Sequence, residues 1–195
     1  MSIIRNLLAL LGVISLAIAI WFGPTAWRYK TAFDNFDPRA FDVYKTMFDR
    51  LIETGNAADA TVWRAKVADG LSFQDVDESI RQIAIANNIK DVGALPLGDQ
   101  VEAMTGKKWR KLKIYLYCNP LTAARMVEYS IAYSAYLPCR VSLVEDDKGQ
   151  LWITTLDMDM MIYGGKTLPP ELLTDALRVR AIMKDILARA AEGDF

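Results

Sequence analysis

The 195-residue chain carries 23 basic and 24 acidic residues, and 52% of its residues are apolar. This composition excludes a disordered chain and indicates one packed domain with an appendage. Residues 1–30 hold three basic and no acidic residues, which leaves 20 basic and 24 acidic residues and a net charge of about −4 for the remainder. A mildly acidic domain binds phosphate backbones poorly, so no nucleic-acid partner is expected.

Histidine is absent, and only two cysteines are present. These counts exclude Ser-His-Asp and Cys-His catalysis, imidazole-bound zinc and His-ligated haem. Two cysteines are also too few for an all-cysteine zinc or iron–sulfur site within one chain. We therefore expect no catalytic residues and no resident cofactor, and we favour a role other than that of an enzyme.

The N-terminus, residues 1–30, is predicted to be a signal-anchor transmembrane helix. Leu7 to Trp27 is a run of 21 residues without a charge, long enough to cross a hydrocarbon core of about 30 Å. Aromatic residues cluster at its far end, as in an interfacial belt (Trp21, Trp27 and Tyr29). A cleaved signal peptide is the alternative, since Ala17 and Ala19 form an A-x-A pattern, but the apolar run continues past them.

The flanking charges are nearly balanced, with Arg5 on one side and Arg28 and Lys30 on the other. The very short N-terminal tail is typical of signal-anchors that send the following domain across the membrane. The sequence thus favours a single-pass protein of the inner (cytoplasmic) membrane with a periplasmic domain, and a partner in or at that membrane.

Residues 31–58 are predicted to be a helical stalk, in which Asp37 and Pro38 start a helix and Gly55 ends it. Residues 59–195 are predicted to be one soluble domain with an α+β fold, a mixed or antiparallel sheet covered by helices. Its first predicted elements are a strand over 61–67, a helix capped by Ser72 and Asp75, and a loop over 93–98 with a short helix to 104. A strand over 109–118 and a helix to 133 follow. The last predicted elements are a hairpin of 137–145 with 150–156 and a long helix after Pro169 and Pro170. The predicted buried stripe of that last helix is Leu173, Ala176, Leu177, Met183, Ile186, Leu187 and Ala190.

Three segments resemble the family known as domain of unknown function 302: Tyr117-Cys118-Asn119-Pro120, Leu137-Pro138-Cys139-Arg140-Val141, and the acidic hairpin from Glu145 to Ile153. The resemblance runs from about Thr61 to Met161. It implies a compact sheet with helices on one side, related to TATA-binding-protein-like folds. It supplies no catalytic residues. The anchor, the stalk and the long C-terminal helix are predicted to be additions to the family pattern.

Cys118 and Cys139 are the first candidate site. Alternation groups Cys118 with Leu112, Ile114 and Leu116, and groups Cys139 with Val141 and Leu143, so both thiols are expected to face the core. They are then either small buried hydrophobes, a disulfide, or a redox, sulfur-carrying or metal-binding pair. If their strands are parallel neighbours, the two residues lie too far apart for a disulfide.

Methionines near residue 160 are candidate additional ligands if the cysteine pair binds a metal. Met158, Met160 and Met161 stand beside Asp157 and Asp159, and thioethers with thiolates suit Cu(I). Packing at a core edge is the more frequent role of such methionines, and two aspartates alone are weak evidence for a hard cation. The low-ranking thiol or metal site therefore consists of Cys118, Cys139, Met158 and Met160.

Three further patterns are less specific. Gly164-Gly165-Lys166-Thr167 lacks the upstream glycine and the following helix of a phosphate-binding loop. The basic run over 107–113 is interpreted as a solvated face. Tyrosines at 129, 133 and 136 share one helical face, which is either core or a docking surface.

Two functional hypotheses follow. The first is a membrane-anchored, periplasmic accessory or interaction domain, as in a subunit of a larger membrane complex. The alternative is a periplasmic thiol, sulfur-relay or copper-handling protein that uses the two cysteines.

Overall fold

A computed structural model describes residues 2–194; Met1 and Phe195, the outer limits of the predicted anchor and domain, lie outside it. The N-terminal elements are α1 (Ser2–Phe33), α2 (Ala40–Thr54) and α3 (Ala57–Ala60). The elements that follow are β1 (Val62–Lys66), α4 (Phe73–Ala86), β2 (Lys90–Leu95), α5 (Leu97–Thr105), β3 (Leu112–Cys118), α6 (Pro120–Tyr129), a 3-10 helix (Ile131–Tyr136), β4 (Cys139–Glu145), β5 (Leu151–Leu156), α7 (Asp159–Tyr163) and α8 (Pro170–Ala191).

The five strands form one antiparallel sheet in the order β1-β5-β4-β3-β2. Helices α4 and α8 pack against each other and against the same face of this sheet, here called the core face. The predicted α+β fold is confirmed, and the choice between a mixed and an antiparallel sheet is settled as antiparallel. The β4–β5 hairpin and the helical connections between β2 and β3 and between β3 and β4 return the chain to the end of the sheet that it left, so these pairs are antiparallel. Helix α4 instead crosses from β1 at one edge to β2 at the other, and β1 pairs antiparallel with β5.

Local sequence signals explain most helix ends. Ser72 accepts a hydrogen bond from the amide of Asp75, and the Asp75 carboxylate accepts one from the amide of Ser72, which completes the predicted capping box of α4. Gly55 ends α2 at φ 65°, a left-handed conformation that favours glycine. The aliphatic face of α4 then meets α8 in a core whose fully buried members include Val76, Ile80, Ile83, Leu143, Ile153, Met183 and Ile186.

The prediction for the buried face of β3 is wrong. The core face carries Tyr115 and Tyr117, whose rings are stacked with centroids 6.4 Å apart, while Leu116 and Cys118 belong to the opposite face and are half-buried. The tyrosine rings bury more apolar area than leucines, and the hydroxyl of Tyr115 donates to Asp77 on α4. That long-range partner makes a polar aromatic residue favourable inside, which alternation alone cannot reveal.

Two element boundaries and one buried helix face also differ from expectation. Strand β2 occupies part of the predicted loop, because an edge strand with a bulge between Asp91 and Gly93 lacks regular alternation. The helix predicted to reach residue 133 ends at Tyr129 and continues as the 3-10 helix. On α8, Leu172 and Val179 are buried, whereas three members of the predicted stripe are only half-buried (Leu173, Leu177 and Leu187).

Helix α1 is the one helix within residues 2–194 that is long and apolar enough to cross a membrane, with a mean hydropathy of 2.3 over its best window and no buried side chains there. Its last residue, Phe33, makes a T-shaped ring contact with Tyr44 of α2 at 6.3 Å. The apolar helix therefore leads directly into the stalk without a long linker.

The stalk is fastened to the domain by the segment from Gly164 to Thr167. The amide of Asp37 donates to the carbonyl of Gly165 over 2.7 Å, and the hydroxyl of Thr167 donates to the Asp37 carboxylate over 3.0 Å. The hydroxyl of Tyr44 donates to the carbonyl of Gly164 over 2.7 Å. Helix α2 begins at Ala40, so Pro38 precedes it and is not its first residue as predicted. The segment thus has a structural role.

Candidate functional site

A small apolar cavity of about 40 Å³ lies at the end of the core face where β3 ends and β4 begins. Its walls come from β3, α6, the 3-10 helix, β4, α7 and α8. The residues around it are Cys118, Asn119, Thr122, Ala123, Met126, Tyr133, Tyr136, Leu137, Cys139, Met158, Met161, Ile162, Ala176 and Val179. Both cysteines and one predicted methionine, Met158, therefore meet at one place.

The topology of β3 and β4 brings the two cysteines together. In the antiparallel register Tyr117 pairs with Cys139, and Cys118 is the next residue of β3. Asn119 then caps α6, where its side chain accepts hydrogen bonds from the amides of Leu121 and Thr122. The condition under which the cysteines would lie far apart, parallel neighbouring strands, is not met, because α6 and the 3-10 helix return the chain to the end of the sheet that β3 left.

The two cysteines are free thiols in different settings. Cys139 lies on the core face, and burial, followed by the neighbouring Cys118, raises the pKa of its thiol to about 11. Burial also raises the pKa of Cys118, while the charge of Lys90, its partner in the β2–β3 register, acts in the opposite direction. Both thiols are therefore protonated near neutral pH, and a protonated thiol is a poor nucleophile for redox or sulfur-relay chemistry.

Five sulfur-containing residues line the cavity: Cys118, Cys139, Met126, Met158 and Met161. The whole chain has eight methionines and two cysteines, so half of its sulfur-containing residues border this one small space. Met126 was absent from the predicted set, although it follows the buried Thr122 by one helical turn on α6. That spacing places Met126 and Thr122 on one face of α6, but it does not indicate which residues lie opposite that face.

Met160, the fourth predicted residue, does not line the cavity. It lines a neighbouring groove of about 370 Å³, which shares Tyr133, Tyr136 and Met161 with the cavity. The hydroxyl of Tyr133 donates to the carbonyl of Met161 over 3.0 Å and holds this shared wall together. Of the tyrosine face, Tyr133 and Tyr136 thus separate the groove from the cavity, and Tyr129 lies on the groove side.

The aspartates beside the methionines are paired with arginines. Arg50 contacts Asp157 over 3.0 Å, and Arg180 contacts Asp159 over 2.5 Å. Within residues 2–194, no three residues of the kinds His, Cys, Asp or Glu come together in a way that would hold a metal ion. Carboxylates that are paired with arginines are poor ligands for a hard cation. Asp157 and Asp159 are therefore not further ligands beside the cysteines and methionines.

A second, polar cluster lies further along β3. The Asp77 carboxylate accepts hydrogen bonds from Lys113 over 2.6 Å, from Arg81 over 2.6 Å and from the hydroxyl of Tyr115. Burial acts to raise the pKa of Asp77, but the bonds from Lys113 and Tyr115 outweigh it and lower that pKa. Because Lys113 is engaged here, the basic run does not form a continuous solvated face.

Tyr117 is the exception in this region. Its hydroxyl is buried and has no hydrogen-bond partner among the residues that the structure describes. Burial raises the pKa of both Tyr115 and Tyr117, and for Tyr115 the bond to Asp77 raises it further. Both phenols therefore stay protonated over the ordinary pH range.

Comparison with known proteins identifies the family but no activity. The family described as "Domain of unknown function DUF302" matches residues 64–190, and the chain belongs to it. The match includes nearly all of α8, so the prediction that the long C-terminal helix is an addition is wrong, whereas α1 and α2 lie outside the match.

A solved relative supports the fold. The crystal structure of an uncharacterized conserved DUF302 protein from Bacillus stearothermophilus is 16% identical and superposes with a TM-score of 0.53 over 67% of this chain and 98% of that chain. At this identity the similarity extends to the fold alone. No curated protein matches the chain.

Proposed function

We propose that this DUF302-family chain is a single-pass inner-membrane protein with its domain in the periplasm, where it serves as an accessory subunit of a larger membrane-protein complex. The proposal combines two features outside the family match, the apolar helix α1 and the stalk helix α2. The chain has no histidine, and burial raises the pKa of both of its thiols, which favours a binding role.

The supporting observation is an apolar stripe on α2. Phe41, Phe48 and Ile52 are 65%, 57% and 68% exposed, and their spacing of seven and four residues places them on one side of the helix. The opposite side carries Ala40 and Val43 and packs on the domain. A stripe of large exposed side chains immediately after a candidate membrane helix marks an interaction surface.

Charge favours a protein over lipid as the occupant of this stripe. Helices that lie on membranes carry lysine and arginine on their polar face. Helix α2 carries three acidic and two basic residues, and its basic residues are already paired, Lys45 with Asp49 and Arg50 with Asp157. An anionic membrane surface would repel the remaining charge, whereas an apolar face of a membrane-protein partner would accept the stripe.

The test is the mass of the full chain extracted from its own membrane in mild detergent. We expect a complex of defined stoichiometry that exceeds one 21.9 kDa chain. The triple variant Phe41→Ser, Phe48→Ser and Ile52→Ser should release the chain from that complex. A wild-type protein that is a monodisperse monomer contradicts the proposal.

A matched control separates this stripe from general surface apolarity. Ile85, Met104 and Leu121 are at least as exposed but lie elsewhere on the domain. The triple variant Ile85→Ser, Met104→Ser and Leu121→Ser should retain the complex. Equal loss in both triple variants, or photocrosslinks from position 48 to lipid only, would rule out the stripe as a protein interface.

Membrane orientation has its own test. Asp69 is an exposed residue in the loop after β1, so Asp69→Cys offers a thiol that is more exposed than the half-buried native cysteines, and the wild type serves as the control for their labelling. We expect a thiol reagent that cannot cross the inner membrane to label this variant in whole cells. Labelling only after lysis would place the domain in the cytoplasm.

A further inference from the structure

We propose that the sulfur-lined cavity binds one copper(I) ion through the thiolates of Cys118 and Cys139, with thioether ligands from the methionines that share its wall. This inference concerns a site that no family description assigns, and it does not rest on the proposed accessory function. The surface that would contact a partner, the stripe on α2, contributes no residue to the cavity.

The ligand set carries the choice of metal. Thiolates and thioethers are soft ligands and select copper(I), whereas carboxylates and carbonyls suit harder cations. Three methionines, Met126, Met158 and Met161, line the same cavity as the two cysteines, and nearby carboxylates are held by arginines. Zinc would require further thiolate, imidazole or carboxylate ligands, which the cavity wall does not offer.

The dimensions of the cavity agree with a single ion. About 40 Å³ accommodates a small ion or one or two water molecules, and it excludes an organic cofactor or a metal cluster. The ligands also come from separate elements with fixed positions: the ends of two paired strands, α6 and the segment around α7. Sites built on such elements hold their ligands in place before the ion arrives.

Binding exchanges protons for the ion. One Cu⁺ enters, the two thiols lose two protons to solvent, and two copper–sulfur bonds form without oxidation or reduction. Cysteine binds a metal ion as the thiolate, so both protons leave when the ion binds.

The neighbouring groove provides a route to the site. Met160 lines this groove, and the next residue, Met161, lines both groove and cavity. A copper(I) ion delivered at the surface can therefore pass from one thioether to the next before it reaches the thiolates. This arrangement gives Met160 a role in the rate of loading and none in the final affinity.

The experiment measures copper(I) binding to the full chain in detergent, anaerobically, in competition with a chromophoric copper(I) chelator. We expect one equivalent per chain. Cys118→Ser and Cys139→Ser should each weaken binding by more than about 100-fold, beyond the 10–100-fold that outer partners of a metal site contribute. Absence of binding, or unchanged affinity in the double serine variant, would overturn the site.

Further variants keep the test independent of folding. Met158→Leu preserves volume and should weaken binding about tenfold, within the range for a supporting ligand. Met183→Leu, at a buried methionine outside the cavity, and Met104→Leu, at an exposed one, should bind as the wild type does. Circular dichroism confirms that each variant is folded, and equal weakening in the control variants would contradict the assignment.

X-ray absorption identifies the ligands directly. The spectrum of the loaded protein should show sulfur neighbours alone, and nitrogen or oxygen neighbours would refute the sulfur cavity as the site. In Met160→Leu, loading should slow while equilibrium affinity stays unchanged.

Discussion

The two ends of β3 differ in how their polar groups are bonded. At one end, the Asp77 carboxylate receives three donors from Lys113, Tyr115 and Arg81, so its charge is fully engaged. At the other end, the thiols of Cys118 and Cys139 meet apolar walls that disfavour their ionised forms. The Asp77 carboxylate, which accepts hydrogen bonds from three donors, stabilises the fold. The thiols of Cys118 and Cys139, which border a cavity, can bind a ligand.

The largest effect is expected from a variant that removes Asp77 from the polar cluster at one end of β3. Asp77→Ala removes the acceptor of two partly buried cations and a buried phenol, and we expect a loss of about 3 kcal/mol in the free energy of unfolding. The measurement is chemical denaturation of the full chain in detergent. Asp69→Ala is the control, because the exposed pair of Asp69 with Lys66 should contribute less than about 1 kcal/mol. Similar losses of unfolding free energy in both variants would show that the Asp77 cluster stabilises the fold no more than an exposed ion pair does.

A matched pair of tyrosine variants sharpens the same contrast. Tyr115→Phe deletes a hydrogen bond to a charged acceptor and should cost about 2 kcal/mol. Tyr117→Phe removes a buried hydroxyl without a partner in residues 2–194 and should be neutral or stabilising by up to about 1 kcal/mol. The comparison uses thermal unfolding of both proteins. Equal destabilisation would mean that the Tyr117 hydroxyl is bonded in solution.

At the sulfur end, the two thiols should respond differently to serine in the absence of copper. Cys139→Ser places a hydroxyl among apolar walls and should cost about 1–2 kcal/mol. Both cysteines are half-buried, but Cys118 alternates with the buried Tyr117 at the end of β3, whereas Cys139 shares the buried face of Val141. We therefore expect Cys118→Ser to cost less than about 0.5 kcal/mol. Unfolding midpoints of the metal-free proteins check this order, and a larger effect at Cys118 would contradict it.

The smallest effect concerns pH. The folded state lowers the pKa of Asp77 below the ordinary 3.8, so its stabilisation is complete above that value and is lost as the pH falls through the folded pKa. The difference in unfolding free energy between wild type and Asp77→Asn should be constant from pH 7 to about pH 5 and shrink below pH 3.8. A difference that already shrinks between pH 7 and pH 5 would assign the effect to another group.

Local signals predicted much of the fold. The capping box of Ser72 and Asp75, the glycine stop at Gly55 and the acidic turn before Gly149 each depend on residues a few positions apart, and all three are present. Strand β2 escaped prediction because an edge strand needs no continuous apolar face. The buried face of β3 escaped it because the partner of Tyr115 is 38 residues away in the chain.

The candidate site was predicted only in part, for a similar reason. The sequence supplied Cys118, Cys139 and Met158, but only the antiparallel register of β3 and β4 places the thiols side by side. Met126 belongs to α6, and nothing in its local pattern announces the thiols across from it. The sequence shows which residue types are present. Whether they come together in space depends on the end of the sheet to which a helical connection leads.

The length of α1 has a mechanical consequence for an anchored domain. Its 32 residues rise about 48 Å, roughly 18 Å more than a hydrocarbon core of about 30 Å. The contact of Phe33 with Tyr44, and the bond from Tyr44 to Gly164, join this rod to the domain without a swivel. If α1 crosses a membrane, the domain is held at a fixed distance from the bilayer surface, and its motion is restricted to lateral diffusion and to rotation about the membrane normal.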